Sequence, residues 1–200
     1  MSGQKVQRLV TYAWISAAGT ILAALAATTA IRMTQQTRRA LSLVGNEWQA
    51  MGAALTADAY QGPAKTAGKL QAAGNTLVIK SLIAHRVETF VDHETAVVGN
   101  WLQALGSGYS LQPTFISNEY GLTAAFSVVS NVLQMIGNGL QGLSGTIFIR
   151  SAGEEEWATT INVTGSWLQA TGAVIAYLST KRAAFVTDIS EGWTSGSDLM

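Results

Sequence analysis

The sequence lacks cysteine and contains only two prolines and two histidines. Without cysteine, the chain has no disulfide framework, no thiol nucleophile and no Cys-ligated zinc site. The prolines stand at positions 63 and 113, so long stretches carry no helix breaker. Runs that alternate apolar and polar residues, which are typical of strands, are also missing. These absences favour an all-α protein.

Charged residues are scarce, at 12% of the chain against roughly 25% in an ordinary soluble domain. They are also sorted along the sequence. Up to Arg86, nine Lys and Arg stand against two acids, and after it three stand against ten, so the front part carries +7 and the rear −7. The scarcity indicates a surface covered by copies of the chain or by lipid. The sorting predicts contact between front and rear, either within one chain or head to tail between chains.

An eight-residue phrase recurs six times, beginning at residues 12, 45, 67, 99, 130 and 165, and its clearest copies read GNWLQALG from Gly99 and GSWLQATG from Gly165. Small residues seven apart lie on one stripe of a helix, and a large apolar residue follows three positions later, as in a heptad seam. Glycine within a helix costs about 1 kcal/mol relative to alanine. Its recurrence therefore predicts closely packed helix backbones. The predicted seam glycines are Gly19, Gly45, Gly52, Gly74, Gly99, Gly106, Gly137, Gly165 and Gly172.

Amide side chains flank this predicted seam. A buried amide without a partner costs about 1–3 kcal/mol, so the amides are expected to pair between helices or to line a wet groove, unless they only mark a solvated edge. The candidates are Asn46, Gln49, Asn100, Gln103, Asn131, Gln134 and Gln169.

Tryptophan precedes the large seam residue in three copies of the phrase, at Trp14, Trp101 and Trp167. Tryptophan is favoured at interfaces where one edge of the ring stays polar. These three residues are therefore candidate interface anchors, with ordinary packing as the alternative.

Taken in pairs, the copies predict three helical hairpins that form a six-helix bundle or a short α-solenoid. Breaks at Gly62-Pro63 and Gln112-Pro113 separate segments. We expect one domain over 1–183, with hairpins at about 6–60, 64–109 and 120–183, and a polar tail over 184–200. The stretch 84–95 fits either a turn or a continuous helix. The expected helices cover 6–33, 36–60, 64–87, 93–109, 120–149 and 155–183.

A membrane protein is the main alternative. Uncharged runs at 9–31, 95–118, 120–149 and 157–180 are long enough to cross a bilayer. Against this, the runs are rich in amides and hydroxyls, and charges within spanning segments are costly. The second and third helices contain such charges, at Glu47, Asp58, Lys69 and Lys80.

The sequence offers little chemistry. His85 and His93 lie near Glu88, Asp92 and Glu94, but their spacing matches no metal-binding pattern on one helix face, and a charged, solvated turn explains them. The letters GNGLQG at 137–142 follow a helix and overlap the repeated phrase, so they are not a nucleotide-binding fingerprint. We predict no catalytic, cofactor-binding or metal-binding residue and, with zero net charge, no nucleic-acid partner. An enzyme built around the two histidines is the weakest hypothesis.

The recurring Gly-Asn/Ser-x-Leu-Gln-Ala-x-Gly phrase resembles that of a family of short repetitive proteins of spore-forming bacilli. The resemblance covers most of the chain, although the first copy has Tyr12, Ala13 and Ser16 where Gly, Asn and Gln are expected. It implies a cytoplasmic or spore-associated protein of unknown role, without an activity or cofactor to transfer. Repeat, charge scarcity and charge sorting together predict a non-enzymatic structural protein that assembles with itself into a filament, tube or lattice.

Overall fold

The computed structural model describes residues 3–84, 90–113, 121–151 and 155–197. These residues contain helices and turns and no strand, which confirms the all-α prediction. The helices are α1 (Gly3–Ala27), α2 (Gln35–Ala59), α3 (Gly62–Ala84), α4 (Phe90–Tyr109), α5 (Leu122–Arg150) and α6 (Glu155–Ser197).

Local signals set the turn regions on either side of α2. The backbone N–H of Thr37 donates to Oγ1 of Thr34 at 3.1 Å, a side-chain N-cap that starts the helix. The chain leaves α2 through an extended Tyr60 and re-enters a helix at Gly62, whose φ is +60°. Glycine adopts this left-handed conformation without strain, and Pro63 then occupies the first turn of α3, where its missing N–H costs nothing.

The six helices form a closed ring. Each helix packs against its neighbours in sequence, and α6 also packs against α1. The contact between the first and last helices makes the molecule a six-helix bundle rather than an open solenoid. Each hairpin therefore touches both of the others, and the centre of the ring is an interior shared by all six helices.

Two helix ends differ from the predicted ones by more than one helical turn. α1 ends at Ala27 instead of continuing to 33. The sequence did not indicate this end, because no glycine or proline marks it. The carbonyl groups there accept hydrogen bonds from the distant Arg38. α6 continues through Ser197 beyond the predicted end at 183, and Ala184 is buried within it, so packing continues past the expected start of a polar tail. The alternative of turn or helix at 84–95 rests largely on 85–89, which lie outside the described residues.

The interior of the ring consists of small and polar side chains. Apart from Val6 and Leu9, the buried hydrophobic residues that the structure describes are all alanines. Buried polar residues are serine, threonine, asparagine and glutamine. Because these side chains are short or amide-bearing, the helices gain cohesion from close backbone packing and hydrogen bonds instead of from a thick apolar core.

Candidate functional site

Each hairpin contains a pair of glycines whose backbones touch. A Cβ added to Gly137 would lie 2.6 Å from the carbonyl oxygen of Gly165, and a Cβ on Gly165 would lie 2.6 Å from that of Gly137. Real Cβ atoms essentially never approach other atoms within 3.0 Å. Larger side chains therefore require the helices to separate. The corresponding pairs in the other hairpins are Gly19 with Gly45 and Gly74 with Gly99.

A second set of glycines continues the same seams. A Cβ on Gly172 would lie 2.6 Å from the carbonyl oxygen of Ser130, and one on Gly106 would lie 2.9 Å from that of Ala67. Gly52 approaches the Tyr12 carbonyl in the same way, at 2.9 Å. The residue that opens the phrase in the first helix of a hairpin thus faces the glycine that closes it in the second helix, so the two copies run antiparallel.

Three glutamines, one from each hairpin, meet inside the ring. Gln49, Gln103 and Gln169 are each no more than 5% exposed. Nε2 of Gln169 donates to Oε1 of Gln49 at 2.7 Å and to Oε1 of Gln103 at 3.2 Å. We call these three residues the glutamine layer. Its shared hydrogen bonds join all three hairpins at one point.

The position of the layer follows from the repeated phrase. Each glutamine stands four residues after a seam glycine, so it lies one turn further along and about 40° around the helix from the seam. That rotation directs it into the interior while the glycine contacts the neighbouring helix. A fourth glutamine, Gln141, donates from Nε2 to Oε1 of Gln169 at 2.9 Å. It stands four residues after Gly137, so the same spacing applied to α5 would have found it.

The other predicted amides have different surroundings. Nδ2 of Asn46 donates to the carbonyl of Ser42, and Nδ2 of Asn131 donates to that of Ser127. Both bonds lie within one helix. Asn100 lines an interior cavity, and Cγ of Gln134 packs 2.9 Å from the Cβ position of Gly172. Among the predicted amides, the side-chain hydrogen bonds between helices are therefore those of the glutamine layer, and outside this set Nε2 of Gln71 donates to Oγ of Ser107 at 3.4 Å.

Two cavities lie on opposite sides of the glutamine layer. The larger, of about 780 Å³, is surrounded by the ends of α1, α3 and α5 and the beginnings of α2, α4 and α6. The smaller, of about 190 Å³, is lined at the other end by residues such as Ser16, Gln71 and Asn131. Tyr60 also lines it, and partial burial raises the pKa of its phenol above the usual value.

Two arginines of α2 border the larger cavity and bind the ends of both neighbouring helices. Arg38 donates to the carbonyls of Thr28 at 2.9 Å and Ile31 at 3.1 Å beyond α1. Arg39 donates to the carbonyls of Leu82 and Ile83 at the end of α3. A cation suits the negative end of a helix dipole and its unpaired carbonyls. These arginines therefore have a structural role.

Of the two histidines, one lies within the described residues. His85 lies outside them, and His93 packs against the ring of Phe148 with centroids 4.9 Å apart. In the described parts of the chain, no group of three or more His, Asp or Glu residues is arranged to hold a metal ion. The letters GNGLQG lie within α5, where Gly137 packs against α6 and Gly142 packs against Trp101 of α4.

Exposed large apolar side chains include Val44 and Met51 on α2 and Ile83 on α3, but most lie on the outside of α1, α4, α5 and α6. We call the surface on these four helices the apolar arc. Many members are more than 40% exposed, with Leu105 at 57% and Leu178 at 54%. Each of these four helices has a long stretch without charged residues. The stretches lie between Arg8 and Arg32, Glu94 and Tyr109, Leu122 and Arg150, and Glu156 and Lys181. The arc comprises Trp14, Ile21, Val98, Trp101, Leu105, Tyr109, Leu122, Phe126, Val129, Ile136, Leu143, Trp157, Trp167 and Leu178.

The three predicted tryptophan anchors belong to this arc. Trp101 packs its indole against Gly142 of α5, where a Cβ would lie 2.9 Å from the ring. Nε1 of Trp167 donates to Oγ1 of Thr28 at 2.9 Å, which ties the third hairpin to the first. The ring centroids of Trp14 and Trp48 are 6.0 Å apart. Each ring has one face within the molecule and 40–50% of its surface exposed.

Among the described helices, α1 is the one that is long and apolar enough to cross a bilayer by length and composition. A third of its most apolar window is buried inside the ring. The core helix of a soluble protein and an N-terminal signal sequence meet the same criterion of length and composition.

A family of unknown function (DUF6944) matches residues 7–177, and the chain belongs to this family. The match spans all six copies of the phrase. No curated protein and no solved structure matches the chain.

Proposed function

We propose that this protein is a non-enzymatic structural protein that assembles with copies of itself, with the apolar arc as its main contact surface. The observation that carries the proposal is the reversed distribution of side-chain size and polarity. The interior holds mainly alanine, serine and amides, whereas many leucine, isoleucine, valine and tryptophan side chains are exposed on the outside. Large contiguous apolar surface is rarely left in water by a monomer.

The arrangement of the copies follows from what each outer face can cover. The sorted charges predict a head-to-tail contact between basic front and acidic rear, which would place the apolar arc against α2 and α3. Those two helices expose Glu47, Asp58, Lys69 and Lys80, and burying such charges against leucine and valine is costly. Contact between the arcs of two copies avoids this cost. We therefore favour like-to-like contact, and the head-to-tail arrangement stays a prediction.

Size-exclusion chromatography with light scattering tests the proposal, and negative-stain microscopy of the same fractions shows whether the product is a filament, tube or lattice. The variant Leu105→Gln/Leu143→Gln, on adjacent helices of the arc, is expected to shift the assembly toward smaller species. Circular dichroism checks that both substitutions leave the helical fold intact. A wild-type protein that stays monomeric in low and high salt would overturn the proposal.

Membrane association is the second candidate. Four neighbouring helices with long uncharged stretches surround a polar interior. These helices have 20 to 43 residues and are at least about 30 Å long, which is the thickness of a bilayer core. Fractionation of expressing cells separates the two readings. Release by detergent but not by carbonate or high salt supports membrane insertion, whereas a soluble high-mass species supports self-assembly.

We place the protein in the cytoplasm or on the spore of a spore-forming bacillus, on the strength of the repeated phrase alone. Immunogold labelling of vegetative cells and spores tests this location. Labelling confined to the cell envelope of vegetative cells would contradict it and favour the membrane candidate.

A further inference from the structure

The outer faces of α2 and α3 carry two charged stripes of opposite sign. Within residues 35–84, all of which the structure describes, the exposed charged residues are Glu47 and Asp58 on α2 and Lys69 and Lys80 on α3. The acids are eleven residues apart, and so are the lysines. Eleven residues make just over three helical turns and rise about 16.5 Å, so both members of each pair point the same way and both pairs have equal spacing.

The heights of the two stripes are related by the packing of α2 on α3. A Cβ on Gly68 would lie 2.9 Å from the carbonyl oxygen of Ala53 and 2.9 Å from Cβ of Ala57. Position 68 of α3 is therefore level with about position 55 of α2. With the helices antiparallel, Lys80 lies roughly one turn from the level of Glu47, and Lys69 lies roughly one turn from that of Asp58.

One symmetry brings both pairs into contact. A two-fold axis that runs parallel to the helices, just outside α2 and α3, sets α2 of one copy opposite α3 of the other and keeps every height unchanged. Glu47 then faces Lys80 of the second copy, and Asp58 faces Lys69, each with an axial offset of about 6 Å that the long side chains span. A two-fold axis perpendicular to the helices would instead oppose acid to acid. Only the parallel axis is complementary.

The surface between the charges permits close approach. The exposed residues between the acids are Met51 and Ala54, and those between the lysines are Ala73 and Thr76. By the same alignment of heights, Met51 lies opposite Ala73 of the second copy. Met51 is 45% exposed, and a flexible apolar side chain opposite an alanine fits a knob into a hole.

We propose that α2 and α3 form a side-by-side dimer interface with a second copy of this chain, through Glu47–Lys80 and Asp58–Lys69 contacts about a two-fold axis parallel to the helices. This inference deepens the proposed self-assembly and rests on it. α5 and α6 lie across the ring from α2 and α3, so the dimer leaves the apolar arc free on its far sides. The two contacts together propagate an assembly, with the larger cavities of both copies opening in the same direction.

Charge reversal tests the contact. Two double variants, Glu47→Lys/Asp58→Lys and Lys69→Glu/Lys80→Glu, each bring like charges opposite one another. For each variant alone, the dimer dissociation constant measured by sedimentation equilibrium is expected to rise roughly tenfold or more. An equimolar mixture of the two variants is complementary again and is expected to recover dimerisation. Lys181→Glu/Arg182→Glu, on exposed residues of α6, is the control for a change of net charge, and circular dichroism checks the fold.

Single cysteines test the register, since the chain has none of its own. A mixture of Met51→Cys and Ala73→Cys proteins is expected to form a disulfide-linked dimer under mild oxidation, more readily than either protein alone. Met51→Cys mixed with Thr66→Cys, about 10 Å out of register, is the control. Cross-linking that does not distinguish positions 73 and 66, or assembly unchanged by both reversals, overturns this interface while leaving self-assembly standing. A strictly monomeric wild type overturns both.

Discussion

Gly137 and Gly165 are in mutual backbone contact, each placing its carbonyl oxygen 2.6 Å from where the other's Cβ would stand. Two residues further along α5, Gly139 meets only the Trp101 ring, at 3.8 Å. The same helix therefore holds one glycine that the packing requires and one that it does not.

Alanine substitutions at these two positions are expected to change the free energy of unfolding in opposite directions. Gly137→Ala forces the α5 and α6 backbones apart and should lower the free energy of unfolding by about 1–3 kcal/mol. Gly139→Ala fits in ordinary van der Waals contact and should raise it by up to about 1 kcal/mol through helix propensity. Urea denaturation followed by circular dichroism measures both. Equal stability of the two variants would contradict the close approach.

The glutamine layer should resist replacement at its central member. Gln169→Ala leaves the acceptors on Gln49 and Gln103 and the donor on Gln141 without this partner, which should cost about 2–4 kcal/mol of unfolding free energy. Gln36→Ala, on an exposed residue at the start of α2, should change it by less than about 0.5 kcal/mol. A loss at position 169 as small as that of the control would mean that the layer does not stabilise the ring.

The arginine at the end of α3 should protect that end from opening. Arg39→Ala removes the donor to the carbonyls of Leu82 and Ile83 and should destabilise the chain by about 1–2 kcal/mol. Amide hydrogen exchange should quicken in the last turn of α3. Arg32→Ala, on an exposed residue before α2, serves as control. Faster exchange throughout the molecule instead of at this helix end would point to a different role.

One hydrogen bond between the first and third hairpins allows its contribution to ring closure to be measured. Nε1 of Trp167 and Oγ1 of Thr28 are 2.9 Å apart and join the last helix to the turn after the first. A double-mutant cycle of Trp167→Phe and Thr28→Val should yield a coupling free energy of about 0.5–1.5 kcal/mol. Additive effects would show that this bond does not contribute to holding the first and third hairpins together.

The sequence alone determined the helical class, the six helices named in the described residues and the residues that share each stripe, because heptad spacing is a property of one helix and needs no partner. It also separated the charged faces of α2 and α3 from the uncharged runs of the other helices. The end of α1 was not readable, since Arg38, eleven residues beyond Ala27, supplies the bonds that complete it.

Only the tertiary structure decided that the hairpins close into a ring and that glutamines 120 and 66 residues apart share hydrogen bonds. The phrase places an amide beside each seam in an open solenoid as well as in a closed bundle. Closure depends on whether α6 meets α1, and this contact involves residues whose local patterns are identical in both arrangements. The physical reason is that residue spacing along one helix specifies which face packs against a neighbour, whereas the identity of that neighbour depends on how all six helices pack together.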